Sequence, residues 1–344
     1  MQIETSTANL TRVSFCNHPG KQQTRTIRER RTMTDSNHIP ITAAEPQAGD
    51  ELRASPVKVA VVQFDPQVGV ENLESNAASV RQRLTAAVNA GAQLIVLPEL
   101  ATTGYCFTGR EEAYAHAQAV PGGQTVSEWE KFAARHNVFI VGCLVEQDGL
   151  QLFDTAVLVG PEGYIGRYRK THLWNNEKLW FTPGNEGYSV FETRIGRIGL
   201  LVCWDIWFPE NARIVAQMGA DIICIPTNWV WTPPPLYDES GVCMAAYLTI
   251  AAAHSNNVFI ATADRVGVER GAGFMGNSII ASTNGWPIGR IAGPDEDTIL
   301  YADIDLTKTR TAPIWNQNND LHRDRRTDLY DQMLGYIGAK PHPR

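Results

Sequence analysis

The chain has 344 residues, 43% of them hydrophobic, and a formal charge of −7. That length suits one large α/β domain or two smaller ones, with enough apolar residues for a substantial core. A mildly acidic chain with no sustained basic stripe excludes nucleic acid as a partner, and no apolar run is long enough to cross a bilayer.

Residues 1–55 are rich in Thr, Arg, Asn, Gln and Ser and carry no sustained apolar period, which predicts a disordered extension. Arg28, Arg30 and Arg31 with few acids fit a transit peptide, while the lack of an apolar h-region argues against a secretory signal. A second expectation is that translation starts at Met33, because Arg-Glu-Arg-Arg-Thr just before it is what a purine-rich ribosome-binding site would encode. Six cysteines (16, 106, 143, 203, 224 and 243) are scattered without short pairings. That spacing argues against a disulfide framework or a zinc cluster and for a reducing, cytoplasmic setting.

From Pro56 the pattern changes. VKVAVVQF (57–64) is an apolar, Val-rich run expected of a buried strand. Leu73, Ala77, Val80, Leu84, Ala87 and Val88 have helical spacing that stops at Gly91, and QLIVLP then reads as a second strand. The cycle repeats. SEWEKFAARHN leads into VFIVGCLVE, FPENARIVAQMGA into DIICIP, and VCMAAYLTIAAAHSN into VFIATAD. Helices alternating with β-rich runs predict an α/β layered domain over 56–305. Hairpin-like pieces (DTAVLVGPEGYIGRYR, GNSIIASTNGWPIGRI) predict a mixed sheet, and 306–344 reads as a polar C-terminal tail.

Three chemically distinct side chains stand at the ends of predicted strands: Glu99 after LIVLP, Lys170 after YIGRYR and Cys203 after RIGLLV. Ligands of layered α/β proteins bind beyond the carboxyl ends of strands, so these residues are candidates for one crevice. A carboxylate, an ammonium and a thiol suit acyl transfer, with a thiol made nucleophilic by deprotonation. Each has a plainer alternative at this level. Cys203 fits as a small core residue, Glu99 as a turn cap and Lys170 as part of a solvated basic face with Arg167 and Arg169. Cys106 and Cys143 compete for the nucleophile role.

At these residues the chain resembles the nitrilase superfamily of carbon–nitrogen hydrolases. The matching stretches fall in order: VAVVQF, LIVLPELATTGY around Glu99, GRYRKTHL around Lys170, NEKLWFTPGN around Glu177, and GLLVCWDIWFPENAR around Cys203. The resemblance covers residues 57–305 and implies a four-layer α-β-β-α sandwich, commonly paired through outer helices into homodimers or larger homo-oligomers. It implies a Glu99–Lys170–Cys203 triad with neither metal nor organic cofactor. Cys203 attacks an amide, carbamoyl or nitrile carbon. Lys170 and the Trp204 backbone N–H meet the developing charge, Glu99 moves the proton, and water hydrolyses the thioester. Glu177 is assigned to positioning Lys170 or that water, against the alternative of a surface helix carboxylate.

The motifs look closest to the amidase and N-carbamoylputrescine amidase branches. Asp205 stands where nitrile-cleaving members more often carry Glu, which points away from a nitrile. Expected pocket residues are Tyr105, Trp174, Trp204, Asn228 and Trp229, with Trp180 and Trp231 as further candidates. Asp238 and Glu239 read either as an attraction for a cationic substrate tail or as a solvated loop. A nitrilase, an acyltransferase to an amine and a non-catalytic binding protein are the competing classes. The partners expected are a small-molecule substrate and other copies of the chain, with no membrane.

Overall fold

The computed structural model describes residues 56–230, 233–311, 314–316 and 318–333; the expectations for 1–55, Trp231 and 334–344 lie outside the described residues. Strand β1 (Val57–Gln63) shows how the layers arise. Val59 and Val61 belong to one buried cluster and Ala60 and Val62 to another, as the period of two along a strand requires. Helix α1 (Leu73–Asn89) presents Val80, Leu84 and Ala87 to the second cluster and stops before Gly91, which takes the left-handed conformation at φ +86°. Strand β2 (Leu94–Val96) follows.

Helix α2 (Arg110–His116), which the apolar pattern did not announce, precedes α3 (Gln124–His136). The latter begins three residues earlier than its apolar spacing suggested. Strands β3 (Phe139–Asp148), β4 (Gln151–Gly160) and β5 (Gly163–Arg169) form a meander. Trp129 of α3 packs against Gly142 of β3, where an added Cβ would come within 2.4 Å of the indole ring. The absent side chain is what lets that helix seat on the sheet.

The second half repeats the plan with α4 (Glu177–Trp180), β6 (Val190–Thr193) and β7 (Gly196–Leu200). A 3-10 turn, Cys203–Trp207, comes before α5 (Pro209–Gln217), whose first residue is proline, a favoured opening position. Next are β8 (Ile222–Pro226), α6 (Met244–Asn256), β9 (Phe259–Ala263) and a short ribbon of β10 (Val268–Glu269) and β11 (Ala272–Gly273). Strands β12 (Ile279–Ala281) and β13 (Thr298–Ile304) complete the sheets. The hairpin expected around GNSIIASTNGWPIGRI contracts to β12 and a bridge from Ala281 to Pro287.

One sheet has the order β13-β1-β2-β3-β4-β5 and the other β12-β9-β8-β7-β6. β1, β2 and β3 run parallel, as do β7, β8 and β9, while the outer pairs are antiparallel, so both sheets are mixed. Their inner faces share one core containing Val59, Val61, Leu94, Ile198 and Ile222. Ala212 and Val215 of α5 and Ala245 and Ala253 of α6 pack on the second sheet, and α1 and α3 on the first. This is the expected four-layer α-β-β-α arrangement. Past β13, buried Asp221 accepts hydrogen bonds from the Thr309 hydroxyl and the Arg310 guanidinium. Among the described residues no helix is long and apolar enough to cross a membrane.

Candidate active site

Because β4 is antiparallel to both β3 and β5, the carboxyl ends of β2 and β5 and the start of β4 lie at one edge of the first sheet. Glu99 follows β2, and its backbone N–H donates to the Thr227 carbonyl beyond β8 at 3.3 Å, joining the two sheets where the site lies. Lys170 follows β5, its backbone N–H donating to the Asp154 carbonyl at 2.9 Å. Cys203 opens the 3-10 turn after β7 with φ +45°, a left-handed conformation that strains a residue with a Cβ.

Asp205 holds that strained turn. Its Oδ2 accepts the Val202 N–H at 3.0 Å and the Tyr168 hydroxyl at 2.9 Å. Its Oδ1 accepts the Thr171 hydroxyl and the His172 N–H, both at 3.2 Å, and lies 2.8 Å from His172 Nδ1. The cysteine turn is thereby fastened to the segment carrying Lys170.

Lys170 Nζ lies 2.6 Å from Glu99 Oε1, 2.8 Å from Glu177 Oε1 and 3.5 Å from Asp154 Oδ2, and none of these side chains touches solvent. Glu177 is therefore a buried member of the cluster, not a surface carboxylate. Its Oε1 also accepts the Tyr105 hydroxyl at 2.5 Å and its Oε2 the Trp174 N–H at 2.8 Å. Burial pushes the Glu99 carboxyl well above its usual range; Lys170 opposes that shift, while Asp154 and Glu177 add to it. Glu177 is raised for the same first reason. Burial alone would lower Lys170, but Glu177 and Glu99 together lift it well above the ordinary lysine value, so it stays an ammonium. Burial, then the Glu99 charge, raise the Cys203 thiol, with Lys170 and the Asn228 backbone N–H acting the other way. Burial thus favours the neutral thiol, and a carboxyl of elevated proton affinity shares its surroundings.

A cavity of about 20 Å³ at the thiol is walled by Trp174, Cys203, Trp204, Trp207, Asn228, Trp229 and Val230. A second, of about 700 Å³, shares Trp174 and Val230 with it and is lined by Tyr105, Trp180, Phe274 and Arg270 among others. The Asn228 amide is buried with both polar atoms unpartnered, and Trp229 Nε1 is likewise without a partner. Buried polar atoms left unpaired are costly, and both residues line the small cavity.

Of the expected pocket residues, Trp174, Trp204, Asn228 and Trp229 line the small cavity, and Tyr105 lines the larger one with Trp174. Asp238 instead caps its own exposed loop, accepting the Ser240 and Val242 N–H groups, and Glu239 is exposed beside it. Cys143 is buried in β3 and Cys106 stands on the wall of the larger cavity, its thiol pushed up to about 12 by burial. Three residues escaped the sequence reading. Asp154 was signalled by a lone charge inside the apolar run QLFDTAVLVG. Asp264, the unremarked last residue of VFIATAD, accepts the Thr227 hydroxyl and the Trp229 N–H. Glu269 accepts the Val68, Tyr105 and Cys106 N–H groups and so sets the Tyr105 loop; nothing in its local sequence announced this. Glu99, Asp154 and Glu177 bring carboxylate oxygens within 4.8 Å of one another, as a metal ion would require. The Lys170 ammonium already lies among them.

Residues 58–314 match the family model described as carbon-nitrogen hydrolase. A nitrilase of Pyrococcus abyssi is 40% identical over 274 residues, spanning 80% of this chain and 99% of that one. An N-carbamoylputrescine amidase of Solanum lycopersicum is 30% identical over 301 residues, spanning 83% and 97%. A solved structure of a mutant amidase from Nesterenkonia sp. AN1, with the acetamide moiety of fluoroacetamide added covalently at the active site cysteine, has a TM-score of 0.65. It is 25% identical and spans 82% of this chain and 98% of that one.

Proposed function

We propose, of a chain that belongs to the carbon–nitrogen hydrolase family, that it hydrolyses a terminal amide or N-carbamoyl group and releases ammonia through a thioester on Cys203. The observation that carries this reading is a strained cysteine that lines a small cavity and lies within the electrostatic reach of a buried Glu99–Lys170–Glu177 cluster.

In this account Glu99 takes the thiol proton as the sulfur attacks the substrate carbon. The transfer moves a proton between two buried groups without changing the net charge of the site. Lys170, fixed between two carboxylates, and the Trp204 backbone N–H stabilise the oxygen that gains negative charge. Glu99 then protonates the departing nitrogen and, in the second half, accepts a proton from the water that cleaves the thioester. Glu177 keeps Lys170 in place, and Tyr105 and the Trp174 N–H keep Glu177 in place. The unpartnered Asn228 amide supplies a donor and an acceptor for the substrate's own amide or ureido group, while Trp174, Trp204 and Trp229 wall it. The rest of the substrate extends into the larger cavity.

A nitrile as substrate is the second reading, favoured by the name of the 40% identical relative. The reading extends to a cytoplasmic homo-oligomer. The five described cysteines are all free, and Met218, Met244 and Tyr247 leave exposed apolar surface on and beside α5 and α6. Size-exclusion chromatography with light scattering tests the assembly. The substrate class is tested by ammonia release from primary amides, N-carbamoyl amines and nitriles, comparing native protein with Cys203→Ala. Release from amides or carbamoyl compounds that vanishes in the variant supports the main reading, and release from nitriles alone replaces it with the second. Equal release from both proteins overturns the nucleophile.

A further inference from the structure

Three carboxyl groups share one ammonium in a space closed to solvent, which leaves more negative than positive charge. The mechanism above uses Glu99 and Glu177 and leaves Asp154 unemployed. Its surroundings are specific. Asp154 Oδ1 accepts the Cys143 thiol at 2.9 Å, and its backbone carbonyl fixes Lys170. Glu99 Oε2 and Asp154 Oδ2 are buried without a hydrogen-bond partner, the latter 3.5 Å from the Lys170 ammonium. Two such oxygens on neighbouring carboxyl groups are satisfied together by one proton lying between them.

We propose that Asp154 is a positioning residue for the catalytic proton: when Glu99 takes the proton of Cys203, that proton lies in a carboxyl–carboxyl hydrogen bond between Glu99 Oε2 and Asp154 Oδ2. The S–H bond breaks with its electron pair left on sulfur, and an O–H bond forms on Glu99. The two orphaned oxygens of the resting site become donor and acceptor, so the transfer relieves an unfavourable arrangement as it creates the nucleophile. The same hydrogen bond, together with the Asp154 charge, contributes to the raised proton affinity of Glu99. The groups facing Glu99 are Lys170 at the end of β5, Asp154 on β4, Glu177 on α4, Tyr105 beyond β2, Cys203 on its turn and Cys143 on β3. Asp154 is the member whose charge can be removed while the ammonium, its two closest carboxylates and the nucleophile remain.

This inference rests on the reading of Glu99 as the base, and the test separates the two. The pH dependence of kcat/KM is measured for the native enzyme and for Asp154→Asn, Cys143→Ala and Glu99→Gln, with thermal unfolding of each. Asp154→Asn removes a negative charge and presents an amide donor to Glu99, so the acid limb moves down by a pH unit or more. Cys143→Ala keeps every charge but withdraws the donor from Asp154, so the acid limb moves the other way, by a smaller step. A folded Asp154→Asn enzyme with the native limb and a uniformly scaled rate overturns the proposal. If Asp154→Asn does not fold, an unmoved limb in Cys143→Ala overturns it instead. Native-like activity in Glu99→Gln overturns the base assignment itself, whatever Asp154 does.

Discussion

Asp205→Asn tests whether the strained cysteine turn is held by a buried carboxylate. The change is nearly isosteric, but both oxygens of Asp205 receive donors, so wherever the new amide nitrogen sits it meets one. Placed at Oδ2, it faces the Val202 N–H and the Tyr168 hydroxyl. Placed at Oδ1, it faces His172 and Thr171, of which the hydroxyl and ring nitrogen can turn acceptor while the His172 backbone N–H cannot. The second placement is cheaper. It still strands one backbone donor, at about 1–3 kcal/mol, and weakens the remaining bonds by losing the charge, at about 1 kcal/mol more. A net loss of about 3 kcal/mol lowers Tm by about 6–12 °C for a domain of this size. Because the turn carries the nucleophile, kcat falls by about tenfold or more as well. Differential scanning calorimetry at fixed protein concentration, with kcat on the same sample, reads both. A Tm within 1 °C of native with unchanged kcat would refute the idea that Asp205 holds the turn.

Trp129→Ala empties the space over Gly142 and should destabilise by about 3–5 kcal/mol while leaving KM near native, measured by urea unfolding with an unchanged m-value. Tyr105→Phe removes the 2.5 Å bond to Glu177. A hydrogen bond to a charged group contributes about 1.5–3 kcal/mol to stability, so Tm should fall by about 3–12 °C, and kcat should fall with it because Glu177 holds Lys170 less firmly. Asp264 is buried and its carboxyl is pushed up to about 8 by burial. A carboxyl raised in the folded protein contributes stability below its unfolded value of about 3.9 that is lost as the pH climbs to about 8. Asp264→Asn should therefore gain in Tm over native as pH rises across that window, and a gap independent of pH would contradict the assignment.

Much of the fold is legible in the sequence where one physical rule dominates. In β1 the two alternating sets, Val59 with Val61 and Ala60 with Val62, each meet an apolar layer, so the strand reads as a continuous hydrophobic run. Glu99, Lys170 and Cys203 are visible because a polar or reactive residue directly after such a run marks the sheet edge. Helix α2 was invisible because only Ala113 and His116 of its seven residues are buried, too few to set a period. Cys203 sits on a 3-10 turn of its own, ahead of the helix that Pro209 opens, and Asp205 stabilises that turn from within. Asp154 and Glu269 escaped for a different reason. Glu269 acts on N–H groups more than 160 residues away, and Asp154 acquires meaning only through β4–β5 register, neither of which local sequence records.

The central claim is that Cys203 carries the acyl group. It is tested most directly by acid-quenching the enzyme during turnover of its best amide or N-carbamoyl substrate and mapping the adduct by peptide mass spectrometry. The account predicts an acyl or carbamoyl mass increment on the peptide containing Cys203, abolished by Cys203→Ala and discharged by hydroxylamine as the hydroxamate or hydroxyurea. An adduct on Cys106 or Cys143, or ammonia release continuing in Cys203→Ala, would contradict it.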